Sequence, residues 1–376
     1  MGNTHPGLDE LVRLRQRWGR LLRRDRRPSP EDRARLAEAR ARLIKIPDFG
    51  PNPGELRMLC FVPSGLPAGA PLVVALHGCT QDAAGYDLGC GWSAMAERLG
   101  FVLLLPEQRR ENNPNLCFNW FNPGDTTRNS GEVASIRQMI AILQREHRLD
   151  PTRIFISGLS AGGGMSSAML ACYPEVFAGG AILAGLPHGA ADTVRGAFQA
   201  MYHPAALPAR ERGNAVRTAS AHQGPWPRLS VWQGDADVTV KPQNAEEILK
   251  QWLDLHGLRL DAPSEQRQAG AATVRRWRNG TGEVVVESHN IPGLDHGVPL
   301  APGDGDGRIG RAGPYLLDAG LSSTHGILRF WGLGTDQPDL PRRFVVNGQG
   351  SAREVTPRFM GLVDKALRMA GLRSRR

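Results

Sequence analysis

The sequence predicts an α/β fold, with a mostly parallel central sheet, helices on both faces and a helical extension at the N-terminus. Short apolar runs of strand length alternate with longer amphipathic segments, which is typical of strands buried on both faces. The 376 residues include 45 Gly and 28 Pro, a content that suits many tight turns between strands and helices. Apolar residues make up 41%, which is enough to bury a substantial core.

Residues 1–46 are predicted to form a basic helical extension, the basic arm. Apolar residues recur at helical spacing over residues 8–25, and Ser29 can cap a second helix that starts at Pro30. Residues 1–45 hold 13 Lys and Arg against 6 Asp and Glu, whereas the rest of the chain holds 33 against 31. The net charge of +9 therefore belongs mainly to the arm, and it is no sign that the main body binds nucleic acid.

Residues 47–376 are predicted to form one α/β domain. Strands are expected at residues 72–76, 101–105, 153–156, 181–184, 229–232 and 283–287. Helices are expected around residues 136–143, 160–172 and 245–256. Two stretches rich in Gly interrupt this alternation, at about 186–227 and 297–325. We expect both to be insertions at the rim of the sheet, where substrate loops usually lie.

The sequence shows neither a membrane span nor an export signal. No apolar run approaches the roughly 18–20 residues that a membrane helix needs. The twin arginines Arg23 and Arg24 are followed by charged residues rather than by the apolar stretch of a signal peptide. We therefore expect a cytoplasmic protein. Five Cys in a chain of this length do not indicate a disulfide scaffold.

The segment Gly158-Leu159-Ser160-Ala161-Gly162 matches the G-x-S-x-G pattern of a nucleophile elbow. An elbow is a strained turn between a strand and a helix, and it admits only small residues two positions either side of the serine. In a chain this rich in glycine, chance alone would give on the order of a few tenths of a match. The apolar strand before the motif and the helical segment after it supply the required setting. The sequence therefore predicts Ser160 as the nucleophile of an α/β-hydrolase fold.

The orienting acid is expected just after a late strand, because acid and histidine follow the serine in that order in this fold. Two aspartates, Asp235 and Asp237, follow the strand at residues 229–232. In the turn pattern G-x-x-D-x-x-V, the carboxylate comes three residues after Gly234, which favours Asp237. Asp235 is the alternative, and its other possible role is to cap the turn through its side chain.

Two histidines, His289 and His296, follow the apolar run of the strand at residues 283–287. His296 lies in a turn-rich loop that has room to reach back over the sheet. His289 lies close to the strand end, where a structural residue at the rim is expected. The sequence favours His296 as the general base, with His289 as the alternative.

The negative oxygen of a tetrahedral intermediate needs two preorganised N–H donors. One donor is expected to be the backbone of Ala161, the residue after the nucleophile. The other is expected from the His77-Gly78-Cys79 loop after the strand at 72–76, with Cys79 as the donor. His77 is expected to support this loop and is also assigned to substrate binding.

Further motifs stand in a fixed order between about residues 50 and 335: Leu76-His77-Gly78-Cys79-Thr80-Gln81, Pro106-Glu107-Gln108, Cys117-Phe118-Asn119-Trp120-Phe121 and Phe330-Trp331-Gly332-Leu333. Together with the elbow they resemble the poly(3-hydroxybutyrate) depolymerase family of esterases. The resemblance implies a triad of Ser160, Asp237 and His296. It also implies that Trp120 helps to form the substrate cleft and that Cys79 pairs with Cys117 in a disulfide.

We therefore expect a carboxylic ester hydrolase that acts through an acyl-enzyme and needs no metal or cofactor. The expected substrates are short hydroxyalkanoate esters, oligomers or polyesters. The same resemblance extends to feruloyl and acetylxylan esterases, and a peptidase or thioesterase would use the same catalytic groups. A function of another class is also open, that of an interaction protein whose basic arm binds an acidic surface. No nucleic acid partner is expected.

Overall fold

A computed structural model describes residues 29–334, except Asp304 and Asp306, together with two short strands further along the chain. Ten strands form one sheet: β1 (Ile44–Ile46), β2 (Arg57–Phe61), β3 (Leu72–Leu76), β4 (Val102–Glu107), β5 (Ile154–Leu159), β6 (Gly179–Leu183), β7 (Arg228–Gly234), β8 (Glu265–Ala269), β9 (Ala272–Arg278) and β10 (Val284–Ile291). Their order across the sheet is β1-β2-β4-β3-β5-β6-β7-β10-β9-β8. The six central strands, β4, β3, β5, β6, β7 and β10, are parallel to one another. Antiparallel pairing adds β2 and β1 at one edge and β9 and β8 at the other. The predicted mostly parallel sheet is confirmed.

Helices cover both faces of the sheet: α1 (Pro30–Arg42), α2 (Ala83–Cys90), α3 (Trp92–Leu99), α4 (Pro123–Thr126), α5 (Gly131–His147), α6 (Ala161–Cys172), α7 (Val194–Tyr202), α8 (Ala209–Arg217), α9 (Gln243–Leu255) and α10 (Ser323–Phe330). Successive residues of β3 serve opposite faces, as the period of a strand requires. Val74 packs in the core layer with α5, α6 and α9, and Val73 packs in the layer with α2, α3 and α10. None of the helices described here is long and apolar enough to cross a bilayer.

The described part of the basic arm is docked on the domain. Helix α1 begins with a capping box, in which Ser29 Oγ accepts from the Asp32 amide and the Asp32 carboxylate accepts from the Ser29 amide, as the sequence suggested for Ser29. An ion pair of 2.6 Å joins Arg40 to Asp82 just before α2. The sheet starts with β1, which lies inside the span assigned to the arm. This strand was not predicted, because three residues are too few to show strand periodicity. The helix predicted over residues 8–25 lies outside the described residues.

Both rim insertions contain regular structure that packs on the domain. The stretch 186–227 carries α7 and α8, and a buried ion pair of 2.8 Å joins Arg212 of α8 to Glu247 of α9. The stretch 297–325 carries the parallel strands β11 (Val298–Leu300) and β12 (Leu316–Asp318) and the start of α10. This stretch packs on α2 through Leu316, whose side chain occupies the space that a Cβ at Gly89 of that helix would need.

The antiparallel hairpin β8–β9 has no counterpart among the predicted elements. Strand β8 has the sequence Glu-Gln-Arg-Gln-Ala and lies at the edge of the sheet, so it carries little of the apolar signal that marks a buried strand. Strands β13 (Phe344–Val346) and β14 (Ala352–Glu354) pair antiparallel in a separate two-stranded sheet.

Candidate active site

Ser160 lies at the sharp turn between β5 and α6, with φ 55° and ψ −116°. This left-handed backbone is rare for a residue with a side chain, and such strain is concentrated at functional sites. A Cβ at Gly158 would lie 2.2 Å from the carbonyl oxygen of Gly162. A Cβ at Gly162 would lie 2.4 Å from the carbonyl oxygen of Leu76. Both glycines of the motif are therefore required because backbone segments approach them closely.

The structure brings His296 between Ser160 and Asp237. His296 Nε2 lies 2.9 Å from Ser160 Oγ, and His296 Nδ1 lies 2.8 Å from Asp237 Oδ2. The three residues are separated by up to 136 positions in the chain, and each is buried. With Nδ1 donating its proton to the carboxylate, Nε2 is the acceptor that faces the serine hydroxyl.

The Asp237 carboxylate is fixed by the turn that follows β7. Its Oδ1 accepts from the amides of Thr239 and Val240, both at 2.8 Å. Its Oδ2 accepts from Gln233 Nε2 at 3.0 Å in addition to His296. Four donors therefore hold one orientation of the carboxylate and compensate for the loss of water around its charge.

The two alternatives from the sequence have other partners. Asp235 Oδ1 accepts from the amide of Gly293 at 2.6 Å, so this aspartate ties the turn after β7 to the loop that carries His296. His289 lies within β10, where its Nε2 is 2.9 Å from Glu287 Oε1 and its ring stacks on Trp232 at 3.6 Å between centroids. Both therefore have structural partners, and neither is hydrogen-bonded to Ser160, Asp237 or His296.

The two candidate oxyanion donors lie on adjoining segments. Ala161 is the first residue of α6, so its amide has no acceptor within the helix. The loop after β3 lies against the elbow, since a Cβ at Gly162 would also be 2.5 Å from the carbonyl oxygen of His77. In that loop the amides of Gly78, Thr80 and Gln81 all donate to protein oxygens. The amide of Cys79 has no such acceptor among the described residues, which leaves it open to an incoming oxygen.

His77 supports the loop through both of its ring nitrogens. It is 1% exposed, its Nε2 accepts from the amide of Gln108 at 3.1 Å, and its Nδ1 donates to the carbonyl of Gly78 at 2.8 Å. Burial lowers the pKa of His77, which keeps the ring neutral with this pattern of hydrogen bonds. Both ring nitrogens are used by the backbone, which fits the expected support of the loop, and the assignment of His77 to substrate binding stays a prediction.

Trp120 packs on the first turn of α6, where its ring occupies the space that a Cβ at Gly164 would need. It belongs to a small apolar cluster next to the elbow: Cys117, Trp120, Ala161, Leu186, Ala197, Ala200, Met201 and Val240. Three of these residues come from α7, so the first rim insertion supplies one wall of the cluster. Cys79 and Cys117 are joined by a disulfide, which ties the loop of the candidate oxyanion donor to the segment that carries Trp120.

Two further residues of the site did not emerge from the sequence. Gln233 holds Asp237 from the end of β7, and its position directly before the turn is a signal that could have identified it. The Tyr315 ring lies steeply inclined to the His296 ring, with 5.9 Å between the ring centroids, and Tyr315 has a φ of 61°. Tyr315 is the one Phe, Trp or Tyr in residues 297–325, and an isolated aromatic side chain in a glycine-rich insertion is the signal that was available.

Comparison with known proteins identifies the family to which this geometry belongs. The model of the family Esterase PHB depolymerase matches residues 58–275. The chain belongs to this family. The poly(3-hydroxyalkanoate) depolymerase C of Paucimonas lemoignei is 42% identical over 292 residues, which cover 77% of this chain and 70% of that protein. The acetylxylan esterase A of Aspergillus oryzae is 31% identical over 265 residues, which cover 69% of this chain and 85% of that protein.

The solved structure of an acetyl xylan esterase from Aspergillus awamori has the same fold. It superposes with a TM-score of 0.66 at 22% identity, over 78% of this chain and 99% of that one. The predicted α/β-hydrolase fold is therefore confirmed. This member of the esterase family is a serine esterase, a carboxylic ester hydrolase.

Proposed function

We propose that the esterase cleaves its substrates through an acyl-enzyme on Ser160, with His296 as general base and Asp237 as the group that orients it. The observation that carries this proposal is the position of the His296 ring, hydrogen-bonded to Ser160 Oγ on one side and to Asp237 on the other. A serine hydroxyl is a poor nucleophile unless such a base removes its proton. The order along the chain is also that of α/β-hydrolases.

In the acylation step, Ser160 Oγ attacks the ester carbonyl carbon while His296 Nε2 takes its proton. The carbonyl oxygen becomes an anion that accepts from the amides of Cys79 and Ala161. The carbon–oxygen bond to the alcohol then breaks, and the alcohol leaves with the proton from His296. Asp237 holds the imidazole in the required tautomer and stabilises its positive charge during this step.

In the deacylation step, a water molecule takes the place of the alcohol. His296 removes a proton from the water as the oxygen attacks the acyl carbon, and the same two amides bind the second oxyanion. Breakage of the bond to Ser160 releases the acid, and the serine regains its proton from His296. Because His296 must be neutral at the start of both steps, the rate falls in acid.

We propose hydroxyalkanoate esters and their oligomers or polyesters as the substrate class. The greater identity to the poly(3-hydroxyalkanoate) depolymerase C, 42% against 31% for the acetylxylan esterase A, supports this choice. The acetylxylan-type function is the second candidate, since that relative is covered over 85% of its length.

The test is a panel of esters at equal concentration: 3-hydroxybutyrate oligomers, 4-nitrophenyl esters of rising acyl length, acetylated xylan and a feruloyl ester. We expect kcat/KM on the oligomers to exceed that on acetylated xylan by about tenfold or more. The reverse order would favour the second candidate. Ser160→Ala is the control, and we expect it to lower every rate by about 10⁴-fold or more. Wild-type rates in this variant would contradict the acyl-enzyme proposal itself.

A further inference from the structure

Glu132 is a buried carboxyl group that takes no part in the proposed chemistry. It lies in the first turn of α5 and is fully buried. Its Oε1 accepts from Gln108 Nε2 at 2.6 Å, and its Oε2 accepts from the amide of Asn119 at 3.0 Å. Burying such a group is costly unless it is hydrogen-bonded, and these bonds are directed at two segments near the active site.

One of these segments is the loop that carries Trp120. Asn119, whose amide is bound by Glu132, directly precedes Trp120 in the chain. Gln108 Nε2 also donates to the carbonyl of Cys117 at 3.0 Å. Glu132 and Gln108 together therefore fix the backbone on both sides of Phe118.

The other segment is the loop with the candidate oxyanion donor Cys79. Gln108 reaches it through its backbone amide, which donates to His77 Nε2, and His77 in turn donates to the carbonyl of Gly78. The Cys79–Cys117 disulfide gives a second route between the same two loops. The carbonyl of Gly78 belongs to the same peptide unit as the amide of Cys79, so a bond to this carbonyl orients that N–H.

We propose that Glu132 is a positioning residue for ester hydrolysis: it holds Gln108 and the Cys117–Trp120 segment, and through them the amide of Cys79. This inference rests on the proposed function, in which that amide binds the oxyanion. A donor to the oxyanion acts when negative charge develops in the transition state. A displaced donor therefore lowers kcat and leaves KM nearly unchanged, whereas general loosening of the substrate cleft also raises KM.

The experiment compares Glu132→Ala and Glu132→Gln with Ser135→Ala. Ser135 is an equally buried polar residue one turn further along α5. Its Oγ accepts from the amide of Gly54 and donates to the carbonyl of Gly131, so it bonds neither Gln108 nor Asn119 directly. Burial, followed by repulsion from Asp125, raises the pKa of Glu132 to about 8. The kinetics are run at pH 7 on a soluble 4-nitrophenyl ester.

We expect Glu132→Ala to lower kcat by about ten- to hundredfold with KM within about twofold, because a misplaced catalytic group costs up to about 10²-fold. Glu132→Gln keeps one of the two hydrogen bonds, so its kcat should lie between those of Glu132→Ala and the wild type. Ser135→Ala should keep kcat within about twofold of the wild type, even where thermal unfolding shows that it is less stable. Equal losses of kcat in Glu132→Ala and Ser135→Ala would overturn the proposal, and so would a proportional rise in KM.

A second variant keeps the proposal testable if Glu132→Ala does not fold. Gln108→Met has a similar volume and retains the backbone bond to His77 but cannot bridge Glu132 and Cys117. We expect the same selective loss of kcat, of about threefold to tenfold, and an unchanged kcat would count against the proposal. Ser160→Ala is measured in the same series. Activity in that variant would refute the proposed function, whereas an inactive Ser160→Ala with wild-type kcat in the Glu132 variants would refute the positioning role alone.

Discussion

The pair His296–Asp237 and the pair His289–Glu287 have nearly the same local geometry and different surroundings. The distance from ring nitrogen to carboxylate is 2.8 Å in the first pair and 2.9 Å in the second. Both histidines are buried, at 7% and 6% exposure. In the first pair, the remaining ring nitrogen is directed at Ser160 Oγ. In the second, the ring lies flat on Trp232 within the sheet.

The carboxylates of the two pairs, Glu287 and Asp237, also differ in their hydrogen-bond partners. Glu287 also accepts from Ser230 Oγ at 2.9 Å and from Arg276 Nε at 3.2 Å, so it joins three neighbouring strands, β7, β9 and β10. Asp237 is held by amides of its own turn and by Gln233 at the end of β7. A buried histidine–carboxylate pair is therefore no sign of catalysis by itself. What distinguishes the catalytic candidate is a loop beyond the strand end, which lets the imidazole reach the elbow.

Exchange of each histidine for alanine should separate the two pairs most strongly. We expect His296→Ala to lower kcat by about 10⁴- to 10⁶-fold, because the serine loses its base. His289→Ala should keep kcat within about tenfold and lower the free energy of unfolding by about 2–4 kcal/mol, through lost packing on Trp232 and the lost hydrogen bond to Glu287. Steady-state kinetics and urea unfolding measure the two effects. A large loss of kcat in His289→Ala at a temperature where it is folded would contradict the distinction.

The aspartates allow a matched comparison by exchange for asparagine. Asp237→Asn should lower kcat by about 10⁴-fold, because an amide does not hold the productive tautomer of His296 or stabilise its charge. Asp235→Asn keeps an oxygen that can accept from the amide of Gly293, so we expect a change of less than about threefold. Both rates are measured on the same 4-nitrophenyl ester. Similar losses in the two variants would show that the acid has been assigned to the wrong position.

The pair His289–Glu287 should make the free energy of unfolding depend on pH. Burial opposes the ionisation of Glu287, but His289, Arg276 and the hydrogen bond from Ser230 outweigh it and hold the pKa of Glu287 well below its usual value of 4.5. A lowered pKa in the folded state stabilises the protein above pH 4.5, and this contribution is lost as the pH falls further. We expect Glu287→Gln to lower the free energy of unfolding by about 2–3 kcal/mol at pH 7 and by less at pH 3. Urea unfolding at both pH values measures it, and an equal loss at both would argue against a charged Glu287.

The central strands and the elbow could be predicted because their signals are local. A run such as Leu72–Leu76 is apolar throughout since both faces of β3 are covered. The glycines at 158 and 162 stand in a fixed relation to Ser160, and the structure shows the backbone contacts that require them. In this fold the acid and the histidine follow the serine in that order. The search for them was therefore confined to the loops after two late strands, which contain Asp237 and His296.

Other features depend on contacts between distant parts of the chain. Strand β8 has a polar sequence, and it is a strand because it pairs with β9. Glu132 reads as an acidic residue at a helix start, and its role depends on Gln108 and Asn119, which it meets only in the fold. The sequence predicts that His77 supports its loop, but its hydrogen-bond partners, the amide of Gln108 and the carbonyl of Gly78, emerge only in the fold.

The claim that Ser160 is the nucleophile activated by His296 is tested most directly by covalent labelling with a fluorophosphonate, followed by peptide mass spectrometry. The account predicts one label on the peptide that contains Ser160. The labelling rate should be within about tenfold of wild type in folded His289→Ala and at least about 10³-fold lower in His296→Ala. Label on another serine, or equal labelling rates in the two histidine variants, would contradict it.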